Sequence, residues 1–108
     1  MPYQTGELDQ RITIQREVRV DDGMGGYDLT WETVAEVWAH VRPMSGRELE
    51  RAHKVGAETM YLVVIRNRPD VDESCIILWR GNRLNIRTVK LRPRSLWLEM
   101  DAEMGVAL

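Results

Sequence analysis

The chain has 108 residues, the size of one compact domain, because single domains most often run to about 100 to 150 residues. Its 15 basic and 17 acidic residues nearly cancel, which excludes a protein that holds nucleic acid through an overall positive field. The single cysteine, Cys75, excludes an internal disulfide, and the polar N-terminus and short apolar runs lead us to expect neither a signal peptide nor a membrane-spanning helix.

The first predicted strand covers residues 11 to 20. Its apolar residues share one phase of the alternation and are Ile12, Ile14, Val18 and Val20. Only Arg16 breaks the pattern. A loop rich in acid and glycine follows, made of Asp21, Asp22, Gly23, Met24, Gly25 and Gly26. Because glycine tolerates positive φ, the chain is expected to turn back here through a mobile loop.

The alternation resumes over residues 27 to 42, and it fits either two further strands or one long strand bent near Val34 and Ala35. Trp38 lies on the polar phase of this segment. A large apolar side chain in that position needs cover, either from another part of the chain or from a neighbouring subunit. Pro43 ends the strand, because proline donates no ladder hydrogen bond.

A short helix is predicted from about residue 45 to residue 55. Ser45 and Glu48 have the spacing of a capping box, and Gly56 is suited to end the helix. A helix of this length is marginal in water by itself, so it is expected to pack against the sheet.

Four more strands are predicted in the second half of the chain. Residues 60 to 65 are apolar on both phases, as in a central strand covered on both faces, and Pro69-Asp70 turns the chain. Residues 75 to 79 and 84 to 89 flank Gly81-Asn82, a signal for a tight hairpin. The last strand alternates over residues 96 to 101, and the terminal segments 1–7 and 102–108 are expected to be flexible.

These elements predict an all-β or mainly β fold of six to seven short strands with one short inserted α-helix. The connections are mostly short turns, which favour antiparallel pairing. We therefore expect a single domain over residues 1–108, built as a small antiparallel β-barrel or sandwich.

The residue types that usually carry catalysis or bind metals do not form a recognisable motif. His40, His53 and Cys75 lack metal-ligand spacing. The glycine-rich loop leads into a strand, whereas a phosphate-binding loop leads into a helix. The acidic turn after Pro69 lacks the pattern of a calcium loop and fits a solvated turn better. We therefore expect no metal, no cofactor and no enzymatic activity.

The clearest charge asymmetry is a basic segment without acids, whose members are Arg80, Arg83, Arg87, Lys90, Arg92 and Arg94. Arg83 and Arg87 share the face opposite Leu84 and Ile86, which predicts a positive row on one edge of the domain. One interpretation is a solvated face that discourages edge-to-edge aggregation. The other is a contact with phosphate or with an acidic neighbour. The second interpretation leads to an alternative function, a stand-alone barrel-type nucleic-acid-binding domain.

The order of motifs along the chain resembles that of a known family. The motifs are Gly6-x-Leu8-x-x-Arg11-Ile12-Thr13-Ile14-Gln15-Arg16, the Gly-Gly-Tyr loop leading into Thr30-Trp31, Val37-Trp38-Ala39-x-Val41-x-Pro43-x-Ser45-Gly46-Arg47-Glu48, and Gly81-Asn82-Arg83-Leu84-x-Ile86. From about residue 6 to residue 100 they are similar to the head-tail joining proteins of tailed phages and phage-derived particles, also called head closure, stopper or head-tail adaptor proteins.

The resemblance implies a β-barrel that assembles with copies of itself into a ring. The ring would lie at the neck of a virion or a gene transfer agent, between the portal or adaptor protein above and the tail terminator or tail protein below. It would complete the DNA channel, retain the packaged genome and dock the tail. Its subunits would be made in the cytoplasm of the producing bacterial cell, and no membrane partner is implied.

Candidate sites follow from this resemblance together with the sequence pattern. The residues expected at an interface with a neighbour or partner are Trp38, His40, Arg42, Arg47 and Arg51. Those expected to face the lumen or the DNA are Asp21, Asp22, Arg83 and Arg87. The loop that closes the channel is either the glycine-rich loop, Gly23, Met24, Gly25 and Gly26, or the helix region at residues 44 to 57. The sequence does not choose between the two loops.

Overall fold

The strands and the helix form where their local sequence patterns favour them. The structure, a computed structural model, describes residues 5–51, 60–90 and 94–104. Within these residues the elements in chain order are a 3-10 helix (Thr5–Glu7), β1 (Gln10–Asp21), β2 (Tyr27–Pro43), α1 (Gly46–Arg51), β3 (Met60–Arg66), β4 (Cys75–Trp79), β5 (Asn82–Lys90) and β6 (Trp97–Met104).

The six strands close into one antiparallel barrel in the order β1-β2-β3-β6-β5-β4. Closure comes from the pairing of β1 with β4, in which Thr13 lies opposite Leu78 and Arg16 lies opposite Cys75. The predicted mainly β fold is confirmed, and the barrel is the form it takes. Closure also corrects one expectation, because β5 is paired with both β4 and β6 and so the basic row does not lie on an edge of the sheet.

Alternating apolar residues fill the barrel interior, as the period of the strands requires. The fully buried side chains include Ile12, Ile14, Ile65, Ile77, Leu84, Leu98 and Met100. Trp79 packs against this core, edge to face with Tyr61 at a centroid distance of 5.3 Å. The indole Nε1 of Trp79 donates a hydrogen bond to Gln10 Oε1 at 3.2 Å, which gives the polar end of the ring a partner inside the structure.

The central strand β3 is covered on both faces, as its continuous apolar run predicts. Val63 and Ile65 belong to the barrel core. Leu62 and Val64 form a second cluster, against which Met44 and Trp97 pack. Because Met44 is the residue between β2 and the α1 cap, this second cluster attaches the start of the helical segment to the barrel wall.

The strand β2 is a single bent strand, which decides between the two predicted possibilities. Ile14 lies opposite Ala35, but Gln15 lies opposite Thr33, so Val34 is the extra residue of a β-bulge. Beyond Arg16, the last β1 residue that is paired with β4, β1 and β2 continue only with each other as a two-stranded ribbon. We call residues 17–32 the hairpin arm. The arm lengthens the molecule to 50 × 32 × 26 Å and raises the radius of gyration to 15.0 Å, against about 13 Å for a compact chain of this length.

Two predicted boundaries need correction, and a third lies outside the described residues. The β4–β5 hairpin turns at Arg80 and Gly81, both with positive φ, while Asn82 is already paired with Trp79. Strand β6 extends through Met104, because Ala102 faces the core between β3 and β5, so the predicted flexible segment 102–108 begins inside a strand. The helix α1 ends at Arg51 in the described part of the chain, and the predicted continuation to residue 55 lies outside the described residues.

Arg16, the one residue out of phase in the first strand, has a structural role. Its Nη2 donates a hydrogen bond to the carbonyl oxygen of Asp70 at 2.6 Å and lies 4.0 Å from the Sγ of Cys75. The guanidinium therefore joins β1 to the loop before β4. The alternation fails at Arg16 because this loop, and not another strand, covers that position.

Candidate functional site

Trp38 lies beside a groove on the barrel wall. The β2–β3 ladder stops at His40 and Val64, so the two strands separate beyond that pair. The groove that opens there has a volume of about 460 Å³, and the residues that line it include Leu8, Arg11, Glu36, Trp38, Arg66 and Arg68. The Trp38 side chain is 55% exposed, and nothing in the described part of the chain covers it fully. We call this feature the Trp38 groove.

The Trp38 groove is basic and partly apolar. The Arg11 guanidinium lies 5.3 Å from the centroid of the Trp38 ring, in a cation–π contact. Arg66 makes a similar contact with Trp97 at 5.7 Å. Arg68 forms a bidentate pair with Asp70, with both hydrogen bonds at 2.9 Å, and this pairing lowers the pKa of Asp70. The groove thus offers arginine side chains around an exposed indole.

The hairpin arm exposes apolar side chains that a soluble strand pair usually buries. Five large hydrophobic residues of the arm are exposed, and they are Val20, Met24, Tyr27, Leu29 and Trp31. The arm also carries acidic residues on both strands. Its one arginine, Arg19, lies over the ring of Tyr27 at 4.8 Å.

The glycine-rich loop at the tip of the arm forms a hydrogen-bonded turn, and its mobility stays a prediction. Asp21 Oδ1 accepts a hydrogen bond from the Gly23 N–H at 2.9 Å. Asp22 Oδ1 accepts from Met24 N–H at 2.7 Å and from Gly26 N–H at 3.2 Å. The acidic pair therefore caps backbone amides of the turn. Gly23 and Gly25 both have positive φ, the conformation for which glycine was expected here.

The basic row on β5 is partly neutralised by neighbouring side chains. The Arg83 guanidinium lies 4.7 Å from the centroid of the Trp31 ring of the arm, and its Nε is buried without a hydrogen bond. Arg87 forms an ion pair with Glu103, with Nε 2.6 Å from Oε2. Lys90 Nζ lies 3.5 Å from Asp101 Oδ1. Two members of the row, Arg87 and Lys90, thus have acidic partners, and whether Arg83 and Arg87 face DNA stays a prediction.

The other predicted interface residues are spread along β2 and α1. His40 is half-buried in the β2–β3 ladder, and Arg47 is exposed on α1. Arg42 pairs with both carboxylate oxygens of Glu48, at 2.7 and 2.8 Å. The side chain of Arg51 lies outside the described part of the structure. Arg42 and Arg47 lie at the start of the helix. Among the described residues, neither of them contacts Trp38.

The predicted capping box is confirmed. The Glu48 carboxylate accepts a hydrogen bond from the Ser45 N–H at 3.0 Å, and the Glu48 N–H lies 3.5 Å from Ser45 Oγ. The hydrogen bonds from Arg42, followed by that from the Ser45 backbone, lower the pKa of Glu48 to about 2. The negative charge of this residue is therefore strongly favoured in the folded chain.

The acidic turn after Pro69 is used in local hydrogen bonds. Asp72 accepts hydrogen bonds from the hydroxyl and the backbone N–H of Ser74, which lower the pKa of Asp72. Among residues 5–51, 60–90 and 94–104, no group of three or more His, Cys, Asp or Glu side chains could hold a metal ion. No helix within the same ranges has the length and apolar character needed to cross a bilayer.

Sequence reasoning identified Trp38 but missed most of the groove around it. Arg66 and Arg68 lie in or just after β3, and they meet Arg11 only because the β2–β3 ladder ends early. The local sequence contains no signal for where a ladder stops. Tyr27, Leu29 and Trp31 alternate with polar residues, which predicts a strand but does not indicate that these three side chains are exposed.

Comparison with known proteins gives a consistent result. The family model described as phage head completion protein matches residues 3–105. Protein SF1141 from Shigella flexneri 2a, known from a solution structure, is 28% identical with a TM-score of 0.82, and the match covers 95% of this chain and 97% of that one. The family match confirms the resemblance that the motif order indicated.

A second solved structure places a similar chain in a particle. A chain in the structure described as the virion of a native gene transfer agent particle is 27% identical with a TM-score of 0.62. The match covers 92% of this chain and 96% of that one. A comparison with curated proteins finds no match.

Proposed function

The chain belongs to the phage head completion protein family, and from this premise we propose that it is a structural head-tail connector subunit of a tailed phage or a phage-like particle such as a gene transfer agent. Copies of the chain form a ring below the portal or adaptor protein and above the tail terminator or tail protein. The ring completes the DNA channel, retains the packaged DNA and provides a surface on which the tail docks. The role is structural, not enzymatic.

The observation that carries this proposal is the way the barrel presents its surfaces. The fold is closed, so the strands pair with one another around the barrel, except along the hairpin arm and at the Trp38 groove, where β2 and β3 separate. The arm and the Trp38 groove are different surfaces on one subunit. A contact between two different patches repeats from copy to copy and closes into a ring when the rotation divides a full turn.

In a ring, even a chain with almost no net charge can act on DNA electrostatically. Any charged side chain that faces the lumen is repeated once for each subunit, so a single residue becomes a belt of charge around the duplex. Asp21 and Asp22 would present negative charge, which lets DNA pass without sticking, whereas Arg83 and Arg87 would present positive charge. The closing element of the channel is either the turn at Gly23–Gly26 or the region at residues 44 to 57.

Particles made in the producing strain test the proposal. We expect Trp38→Ala to leave a folded barrel, because Trp38 is outside the core, but to yield filled heads that lack tails or leak DNA. Tails are counted by electron microscopy, and protected DNA is measured after nuclease treatment. The matched control is Trp38→Tyr, which keeps an aromatic ring beneath Arg11 and should give near-normal particles.

Two results would contradict the proposal. The first is normal infectious or transducing particles from a strain whose gene for this chain is deleted. The second is a reconstruction of the neck, at side-chain resolution, in which the chain is absent from the junction between head and tail.

A further inference from the structure

We propose that the hairpin arm of one copy docks into the Trp38 groove of the next copy, so that neighbouring subunits of the ring are joined arm to groove. The proposal rests on the proposed function, because it names the contact that joins the subunits. The groove of one copy is occupied by the arm of a second copy of this chain, and the contact surface is formed by residues of the arm and of the groove.

The distribution of exposed apolar side chains is the first observation. Seven large hydrophobic residues of the described chain are exposed. Five of them are on the arm, and a sixth, Trp38, lines the groove. The seventh, Leu96, is next to the groove, because its carbonyl oxygen accepts a hydrogen bond from the Asn67 N–H at 2.9 Å and Asn67 lines the groove. Among the residues that the structure describes, the exposed large hydrophobic side chains therefore lie on or beside the two features that the proposal brings together.

Charge complementarity is the second observation. The arm carries one arginine, Arg19, against five acidic residues, which are Glu17, Asp21, Asp22, Asp28 and Glu32. The groove is lined by three arginines, Arg11, Arg66 and Arg68, of which Arg68 is paired with Asp70, and by one acid, Glu36. An acidic arm that exposes apolar side chains therefore fits a groove lined by arginines and apolar side chains. Complementary potentials of this kind select the partner and set the orientation of the contact.

The arm cannot reach the groove of its own chain. Arg11 and Trp38 lie on β1 and β2, directly opposite each other in the ladder that continues into the arm. The arm is thus an extension of the groove wall, and it leaves the barrel at the bulge beside Val34. Its base is also held towards β5 by the contact of Trp31 with Arg83. A second copy must supply the arm that fills the groove.

Arm and groove are distinct patches, so the contact is heterologous and propagates from copy to copy. Two copies joined in this way still have one free arm and one free groove, and only a closed ring leaves none.

Cysteine cross-linking in the full chain tests the contact. Met24→Cys places a thiol at the arm tip, where the side chain is 89% exposed, and Glu36→Cys places one in the groove. The native Cys75 is buried, so the unmodified chain serves as the background control. Purified particles carrying both substitutions are treated with a short bismaleimide. We expect a ladder of covalent multimers that ends at the closed ring.

Two control variants, one with a single cysteine and one with the second cysteine moved to α1, distinguish this contact from other contacts. Met24→Cys alone should give no ladder, whereas dimers from this variant would show that arms meet arms and would overturn the proposal. Met24→Cys with Glu50→Cys, which moves the second thiol to an exposed position on α1, should also stay monomeric. A cross-link from Glu36→Cys to the portal, adaptor or tail protein, with no ladder, would mean that another protein fills the groove and would likewise overturn it.

Failure of this proposal and failure of the proposed function give different results. Particles that contain the chain in the neck but show no ladder would overturn the arm-to-groove contact alone. If the chain is absent from particles, the proposed function fails, and the same double variant is then cross-linked in solution at high concentration. A ladder in solution supports the contact, and monomers in solution overturn it.

A charge exchange gives an independent test. Asp28→Arg on the arm and Arg11→Glu in the groove each make one side of the contact repulsive, so each should remove most of the ladder from chains that also carry the two cysteines. Combining both exchanges restores an attractive pair and should recover the ladder. Circular dichroism confirms that each variant is folded. Loss in the single variants without recovery in the combined one would contradict the pairing of these two surfaces.

Discussion

The ion pair between Arg42 and Glu48 fixes the point at which β2 gives way to α1. Two hydrogen bonds join the guanidinium to the carboxylate, and the Ser45 backbone N–H adds a third. Pro43 is the last residue of β2, and the Met44 N–H still donates a hydrogen bond to the Met60 carbonyl oxygen at 2.9 Å. Beyond Met44, the side chains of Arg42, Ser45 and Glu48 set the start of the helix. The low pKa of Glu48, about 2, is the electrostatic consequence.

This network predicts a specific pH dependence. The pKa of Glu48 falls from 4.5 to about 2 on folding, so the charged form stabilises the fold fully above pH 4.5, and this contribution is lost as the pH falls towards 2. We expect Glu48→Gln to cost about 1 kcal/mol of unfolding free energy at pH 7, since a half-exposed pair with a cap contributes no more than this. Chemical denaturation at pH 7 and at pH 2.5 measures the difference.

The matched control is Glu50→Gln on the same helix, which should change the stability little at either pH. An NMR titration of the Glu48 carboxyl should have its midpoint near 2 in the native chain and nearer the ordinary value in Arg42→Gln. A midpoint of the native chain that does not move when Arg42 is replaced would show that Arg42 is not the main cause.

Single residues also show how far the sequence could be interpreted. The capping box was predictable because Ser45 and Glu48 are close in sequence, and the structure forms it as expected. Arg16 was visible as an anomaly in the alternation, but its partner was not, because the Asp70 carbonyl is far along the chain. Local contacts follow from spacing, whereas this contact follows from the closed barrel.

The hairpin arm is the element that most distinguishes this barrel. A two-stranded ribbon alone is only marginally stable in water, so the arm needs a tie to the barrel. The contact between Trp31 and Arg83 supplies one, since it joins β2 beyond the bulge to β5. The buried Arg83 Nε has no hydrogen bond, which leaves the ring of Trp31 as the main described partner of that guanidinium.

Removing this tie should loosen the arm and leave the barrel intact. We expect Trp31→Ala to lower the hydrogen-exchange protection of the arm amides by roughly 2- to 10-fold, because a cation–π contact of this kind contributes about 0.5 to 1.5 kcal/mol. Amides of β6 should keep their protection. Tyr27→Ala, which removes a ring that meets only Arg19 within the arm, is the control and should have a smaller effect at the base of the arm. Unchanged arm protection in Trp31→Ala would show that Arg83 does not hold the arm.

The exposure of the apolar side chains of this arm could not be predicted from the sequence, because a β-bulge shifts the alternation. In sequence, Tyr27, Leu29 and Trp31 have the same parity as Val37 and Ala39, so simple alternation puts all of them on one face. The bulge at position 34 adds one residue and moves the first three to the other face, opposite Glu17 and Arg19. A one-residue shift of register thus turned a predicted core strand into an exposed arm.

At the scale of the whole molecule, the arginines are distributed among aromatic rings and acids. Five arginines lie over aromatic rings within the described ranges, against an average of roughly one such contact per 70 to 80 residues. These contacts hold the arginine side chains in separate pairs with aromatic rings at different places on the surface. In the described part of the chain, Arg83, Arg87 and Lys90 are thus held against a ring or an acid of the same subunit.

The isolated chain should therefore bind DNA only weakly, in contrast to the nucleic-acid-binding domain that the basic segment alone suggested. Two of the basic side chains are paired, Arg87 with Glu103 and Lys90 with Asp101, and Arg83 is covered by Trp31. We expect an affinity weaker than about 10 μM at physiological salt, with a shallow dependence on salt because few counterions are released. Fluorescence anisotropy with a labelled duplex, repeated over a salt series, measures both quantities.

The control is Glu103→Gln, which unpairs Arg87, and on a true phosphate-binding face it would steepen the salt slope by about one unit. Submicromolar, strongly salt-dependent binding by the native monomer would instead favour the nucleic-acid-binding function, since DNA contact would then need no ring.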